Sequence, residues 1–367
     1  MPVIGDLLVR IGADIEGFQQ GMGSVTKQLN QSFAHATRAS MGFQQLGSTL
    51  TSLGATISIA FTAPMAAIGI GATKMAADFE LGMRRVTSLL GEVSEQQFQK
   101  LSEATLKLSR ELGVDAVKAT NALYQAISAD IPADNAIAFL SVATKAAIAG
   151  VTDTSIAVDA LTTVLKAYAL ETSETQKVAD AMFMAVNKGK LTFNELAGAI
   201  GVSAGMAKQL GVSYQELLAA GATLTLTTGQ KINEAMTMIA SAMRALLDPT
   251  PKMLELLKKI GFESGTAAVN ALGLEGALQK LWLATGQNVE VFNAAFGRIE
   301  GFRGALGLTG ANADLAARHL DNLRNSAGAA GQAFAEIDKS TARQFERLLS
   351  NLKVTAIEFG TSLLPMA

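Results

Sequence analysis

Leu210-Gly211-Val212-Ser213-Tyr214-Gln215-Glu216-Leu217 carries a helix end and a helix start back to back. A glycine after an apolar residue ends a helix because it enters the left-handed backbone region without a Cβ clash, and the next apolar residue folds back onto the last turn. Ser213 with Glu216 three positions on is a capping box, in which hydroxyl and carboxylate satisfy backbone N–H groups reciprocally, so a new helix begins at once. The stop recurs at Leu112-Gly113-Val114-Asp115, Ala149-Gly150-Val151-Thr152, Ile200-Gly201-Val202-Ser203 and Ile260-Gly261-Phe262-Glu263. Gly113, Gly150, Gly201, Gly211 and Gly261 are therefore expected helix stops, with the polar residue after each pattern capping the next helix. Ser94 with Gln97, Ser173 with Gln176 and Thr192 with Glu195 read as further capping boxes.

Between these stops apolar residues recur at helical spacing: Phe98, Leu101, Leu108 and Leu112; Ile137, Leu140, Thr144 and Ile148; Ile156, Leu161, Val164, Leu165 and Tyr168. Alternation with period two is confined to Ile4–Ile11, which predicts one short strand at most. The expected fold is all-α: a multi-helix core of short to medium helices joined by Gly-capped turns. We divide the chain into an N-terminal region (1–73), a core (74–310) and an Ala-rich helical C-terminal segment (311–367). Pro249 and Pro251, in Asp248-Pro249-Thr250-Pro251, break the core near 248–251 and leave room for two lobes. Ser326–Gly331 reads as a flexible joint before a last helix, Thr341–Phe359, whose apolar face carries Phe345, Leu348, Leu352 and Ile357.

Ala39–Thr73 contains no charged residue. Its most apolar part, Ile57–Ala72, is shorter than the roughly 20 residues that span a bilayer, and Pro64, Gly69 and Gly71 interrupt it. The expectation is an uncharged helical hairpin that packs on other helices or enters a membrane, with Leu53, Ile57, Ile59, Phe61, Met65, Ile68 and Ile70 as its packing residues.

Charge and chemistry exclude several classes. Thirty basic against 32 acidic residues give a net charge of −2 without a basic block, so phosphate neutralisation has nothing to rest on and no specific nucleic-acid recognition is expected. The chain has no Cys, and its two histidines, His35 and His319, are far apart and expected on solvated helix faces, so no metal site is read. Gly189-Lys190 lacks the rest of a phosphate loop, and Gly69-Ile70-Gly71 does not follow a convincing strand. Gly201-Val202-Ser203-Ala204-Gly205 matches the letters of a nucleophile elbow, but its flanks are helical and Ser203 reads as a helix cap. Glu80, Glu92, Glu195 and Glu216 include two capping residues and form no visible glycosidase pair. Met182, Met184, Met236, Met238 and Met243 sit in apolar helical stretches as core filling. No catalytic residue, no cofactor and no enzymatic activity are expected.

The string Lys74-Met75-Ala76-Ala77-Asp78-Phe79-Glu80, leading into Met83-Arg84-Arg85-Val86, resembles the opening of the core domain of phage tail tape measure proteins, the minor tail proteins of long-tailed phages. Leu108–Ala126, Val178-Ala179-Asp180-Ala181-Met182 with Leu196–Ile200, Leu210–Leu217, Ala220-Gly221, Leu246–Thr250, Ile260-Gly261-Phe262, Ala295-Phe296-Gly297 and Phe359–Pro365 follow in that family's order. Asp14–Phe18 and Phe61-Thr62-Ala63-Pro64 are similar to its usual beginning. The chain departs from the pattern at Ala129-Asp130, where the family often has a glycine, and around Thr227–Lys231.

The resemblance implies a structural virion protein that occupies the tail lumen, sets tail length by templating tube assembly, and is released during genome ejection. Implied partners are copies of itself, the tail tube protein, tail tip or baseplate proteins, tail assembly chaperones and, through 39–73, the host membrane. The implied locations are the tail lumen, the host cytoplasm during assembly and the host membrane on ejection. At about 1.5 Å per residue a fully helical chain of this size spans only about 550 Å, so an N-terminal fragment or a short member is expected. The alternative is a membrane-active, toxin-like helical protein that works through 39–73.

Overall fold

The computed structural model describes the backbone of residues 56–363 and the side chains of residues 71–362. Among the described residues there are α-helices and short 3₁₀ turns and no strand. The fold is all-α, as the helical spacing predicts. The expected strand at Ile4–Ile11, His35, Leu53 and residues 39–55 of the uncharged stretch lie outside the described residues.

The helices are α1 (Thr56–Ser88), α2 (Glu95–Leu112), α3 (Ala116–Ser128), α4 (Ala133–Ala149), α5 (Thr154–Tyr168), α6 (Thr175–Lys188), α7 (Phe193–Ile200), α8 (Ala204–Leu210) and α9 (Tyr214–Thr227). They continue as α10 (Ile232–Leu247), α11 (Pro251–Lys259), α12 (Gly265–Ala284), α13 (Val289–Ala295), α14 (Ile299–Gly307), α15 (Ala313–Arg324), α16 (Ala329–Asp338) and α17 (Thr341–Leu363). The chain divides into two units after Ile70, within α1. The backbone of Ile57, Ile59, Phe61, Met65, Ile68 and Ile70 lies in α1, which runs through Pro64, Gly69 and Gly71 without the expected interruption. Proline removes one bond of the ladder, and a 33-residue helix keeps the rest.

Residues 71–367 are built around α9. Tyr214 and every residue from Glu216 to Thr225 are buried, the mark of a helix enclosed on all sides. Its neighbours are α6, α8, α10, α12, α14 and α15. Its polar side chains are satisfied at home: the Thr223 and Thr225 hydroxyls donate to the carbonyls of Ala219 and Ala222 at 2.7 Å each. A second layer is made by α3, α4, α5 and α7, with Phe139, Leu140, Leu161, Phe193, Leu196 and Ile200 fully buried. The helices after residue 310 join these layers: α15 packs on α9 and α6, α16 on α4 and α6, and α17 on α2 and α3. On α17 the buried side chains are Ser350, Val354 and Ile357, while Phe345 is exposed and Leu348 and Leu352 are half-buried. The inward face is thus rotated from the one read in the sequence, because α17 meets α2 through polar groups.

Helices α10 and α14 make the most extensive helix–helix contact among the described residues. Gly301 and Gly304 of α14 lie over the carbonyls of Ser241 and Met238 of α10, where an added Cβ would come within 3.0 Å and 2.7 Å of oxygen. This is the close helix packing that a chain rich in small residues permits. Helices α10 and α11, on either side of the Pro249/Pro251 break, both pack on α12.

Candidate functional site

Gly113, Gly211 and Gly261 end α2, α8 and α11 at φ of 63°, 90° and 90°. Gly150 and Gly201 do not take the left-handed conformation expected of them; their φ values are −86° and −60°. After Gly150 it is Val151 that turns left-handed, at φ 53° and 88% exposed. Gly150 answers a different demand: a Cβ there would lie 2.7 Å from Cγ of Phe193. Gly201 leads through a continuous turn into α8, and nothing in the structure explains its glycine. Pro251 is the first residue of α11, Thr250 caps that helix by accepting from Met253 N, and the Thr250 hydroxyl donates to Ala295 O at 2.9 Å. At Ala129-Asp130, Asp130 takes φ 68°, a left-handed conformation that aspartate tolerates.

Three capping boxes are formed, at Ser94/Gln97, Thr192/Glu195 and Ser213/Glu216. Hydrogen bonds from Thr192 N–H and hydroxyl hold the Glu195 carboxyl below the usual carboxylate range. Ser173 does not cap: Thr172–Glu174 form a 3₁₀ turn, α6 begins at Thr175, and Gln176 Nε2 donates instead to Asp180 Oδ1 at 3.0 Å. Ser264, rather than Glu263, caps α12. Ser203 makes no side-chain cap bond; it is fully buried with its hydroxyl 3.3 Å from Met236 Sδ. A serine aimed at a thioether has no base to activate it.

His319 is not on a solvated face. It is 5% exposed on α15, its Nδ1 lies 2.9 Å from the Thr223 hydroxyl, and burial, with Lys188 and Arg318, pushes its pKa below the ordinary value. Asp180 is buried on α6 and accepts from Gly328 N at 2.8 Å and Ala330 N at 2.9 Å. The carboxylate caps α16 from a distant helix, so the stretch read as a flexible joint is clamped. The sequence did hold one signal for this: Asp180 is a lone charge in Val178–Met182.

Glu216 and Glu275 meet at a cleft of about 790 Å³ between the start of α9, the middle of α12 and α15. Helix α12 is kinked at Gly273, whose φ of 73° and ψ of 170° are non-helical. Glu216 positions the kink. One oxygen closes the Ser213 box at 2.8 Å from its hydroxyl, and the other accepts from Leu274 N, the first amide beyond the break, at 3.3 Å. A Cβ on residue 273 would meet that oxygen at 2.5 Å, so glycine is required here by both conformation and space. Glu275 faces the same carboxylate, and its Oε1 is buried without a hydrogen-bond partner. Burial first, and the Glu216 charge second, push its carboxyl up to about 7, against the pull of Arg324. Asp314, Asp321 and Arg324 complete the charged rim. The arrangement gathers carboxylates without a nucleophile and can exchange a proton at Glu275.

Among the described residues no group of three or more His, Asp or Glu is placed to hold a metal ion. No single helix among them is long and apolar enough to cross a membrane; the bent pair α4 and α5 reaches the length and composition together, at 116°, and both are core helices.

Residues 102–301, more than half of the chain, match the phage-related minor tail protein family. The chain belongs to this family. Among its relatives, the tape measure protein of Pneumococcus phage Dp-1 is 25% identical over 361 residues, covering 96% of this chain and 30% of that protein. The probable tape measure protein of Clostridium phage phiCD119 is 24% identical over 316 residues, 80% of this chain and 32% of the relative. This family member thus spans about a third of the length of the curated relatives it matches. No solved structure matches it. The match covers α9, the kinked α12 and the glycine-packed start of α14, and ends before α15, α16 and α17.

Proposed function

We propose that this chain is a structural component of a phage tail and acts as part of a tape measure. In this reading it lies in the tail lumen, tube protein polymerises around it until its extent is covered, and it leaves ahead of the genome at infection. Its partners are copies of itself, the tail tube protein, tip or baseplate proteins and assembly chaperones; assembly takes place in the host cytoplasm. The observation that carries the reading is the alignment of nearly the whole chain with a phage tape measure protein, joined to the family match at its centre. The fold is in keeping with it: its core is closed by helix packing.

The test is made in the complete gene that carries this sequence. In-frame deletions of helical segments are introduced, and tail length is recorded by electron microscopy. A ruler that is helical in the tail shortens the tail by about 1.5 Å for each residue removed. Tails of unchanged length across a deletion series, or normal tails assembled without the protein, overturn the proposal.

A further inference from the structure

Helix α17 is held to α1 by close backbone packing, where a Cβ on Gly360 would lie 2.2 Å from Ala72 O, and to the end of α2 largely by polar contacts. Its buried apolar side chains are Val354 and Ile357. Around them, Arg110 pairs with both oxygens of Glu358 at 2.9 Å, and Lys353 pairs with Asp115 at 2.8 Å. The Ser350 hydroxyl lies between the carbonyl oxygens of Ser109 (2.9 Å) and Val114 (2.8 Å) and donates to one of them, and the Arg343 guanidinium donates to Leu112 O. Of these side chains Arg343 caps the C-terminal end of α2 at Leu112 O, where the dipole favours a cation. The backbone of α17 passes so close that a Cβ on Gly113 would lie 2.8 Å from Cα of Arg347.

This contact is specific but poorly satisfied. Buried polar atoms without a hydrogen-bond partner lie on it, Arg347 Nε, Asn351 Oδ1 and the Ser109 hydroxyl, while Arg343 Nε faces Asp338 Oδ1 as an ion pair at 4.0 Å and Arg347 pairs with the other Asp338 oxygen. Each such atom costs free energy that water would return on opening.

The hinge is equally telling. Every other junction between consecutive described helices contains a glycine, a proline or a non-glycine residue at positive φ. The junction of α16 and α17, Lys339-Ser340, has none of these, and Lys339 is already in helical conformation at φ −71°, ψ −15°. No glycine or proline occurs from Gln332 to Phe359. Winding these two residues into the helix would join α16 and α17 into one rod of about 50 Å. The first amides of α17 would then meet the last carbonyls of α16, replacing the Ser340 cap that now accepts from Arg343 N at 3.3 Å.

We propose that α17 is an exchangeable strap: it swings off the core by fusing with α16, and the site it leaves at the end of α2 receives the α17 of a second copy of this chain. The occupant follows from the contact itself, since the Arg110, Asp115, Ser109, Leu112 and Val114 groups are matched by Glu358, Lys353, Ser350 and Arg343 and are met in trans by the same helix. The proposal rests on the self-association proposed above and names its surfaces.

The test uses the whole chain. Isotope-labelled and unlabelled protein are unfolded together, refolded as an equal mixture, sized by light scattering, and treated with a carbodiimide, which joins a carboxylate to a touching amine with loss of water. Mass spectrometry then reads the Asp115–Lys353 link. Exchange gives link peptides with one labelled and one unlabelled partner, approaching half of all links in a fully exchanged dimer. Ser340→Ala, which removes the cap, brings the mixed fraction to that ceiling faster than in the wild type. Thr341→Pro, tolerated at the first position of α17 but not inside a fused helix, suppresses it while leaving the melting temperature of the monomer near wild type. Copies that associate while every link stays within one chain overturn the exchange and leave self-association standing. Absence of any association overturns both.

Discussion

Gly304→Ala tests whether α14 is held by backbone approach to α10. The new Cβ would lie 2.7 Å from Met238 O, 2.9 Å from Met238 C and 3.1 Å from Met238 Cβ. Two of these atoms are helical backbone and cannot rotate away. Restoring ordinary contact requires the helices to part by about 0.7 Å, which loosens Ala242 and Ala305, both buried between them. Overpacking of this kind costs about 1–3 kcal/mol, and the better helix propensity of alanine returns about 1 kcal/mol. The expected net effect is a loss of up to about 2 kcal/mol. Gly331→Ala is the internal control: Gly331 is also helical, in α16, and has nothing within 4 Å of its Cβ position. There propensity acts alone, and stability should rise by roughly 1 kcal/mol. Urea unfolding followed by circular dichroism reads both, as midpoints moving in opposite directions with equal slopes. If Gly304→Ala moved the midpoint upward with Gly331→Ala, the account of α10–α14 packing would be wrong.

Glu275→Gln removes a carboxyl whose pKa is raised from 4.5 to about 7 in the folded protein. A raised folded value means the contribution is fully present below 4.5 and is lost as pH rises through about 7, a loss on the order of 3 kcal/mol. The variant should therefore match wild type near pH 4.5 and be more stable at pH 8; equal melting temperatures at pH 8 would refute this. His319, with its lowered pKa, acts in the other direction below 6.5, so variant and wild type are compared at each pH. Asp180→Ala should cost about 2–4 kcal/mol by stranding the amides of Gly328 and Ala330, with faster hydrogen exchange at the start of α16 as its local signature; unchanged exchange there would count against the clamp. Val151→Gly should stabilise by about 1 kcal/mol, because Val151 is exposed, makes its turn at φ 53° and forfeits little packing; a lower urea midpoint would contradict that strain.

Much of the fold was legible because its signals are local. The boxes at Ser94, Thr192 and Ser213 and the left-handed stops at Gly113, Gly211 and Gly261 depend on residues within one turn of one another, which a string of letters records faithfully. The cleft was legible only in part. Glu216 is visible as a capping residue, yet its second role, holding Leu274 N across the Gly273 kink, joins positions 58 apart. Glu275 gives no sign of its burial, since Leu272-Gly273-Leu274-Glu275 reads as an ordinary amphipathic turn. His319 was misjudged for the same reason: its partner Thr223 is 96 positions away.

Gly150 shows why a local rule fails where it does. Its letters, Ala149-Gly150-Val151, are those of a helix stop, and α4 does stop there. The glycine is nonetheless demanded by the Phe193 ring at the start of α7, and the left-handed turn is displaced onto a valine that is poorly suited to it. If the turn alone decided the residue, glycine would sit at 151 and any small residue would serve at 150. The reverse arrangement means that packing of α7 against the end of α4 outweighs the strain of one exposed valine, about 1–2 kcal/mol. A Gly150→Ala substitution should then cost more than Val151→Gly returns, and combining the two should not restore wild-type stability, because the ring of Phe193 would still have to move.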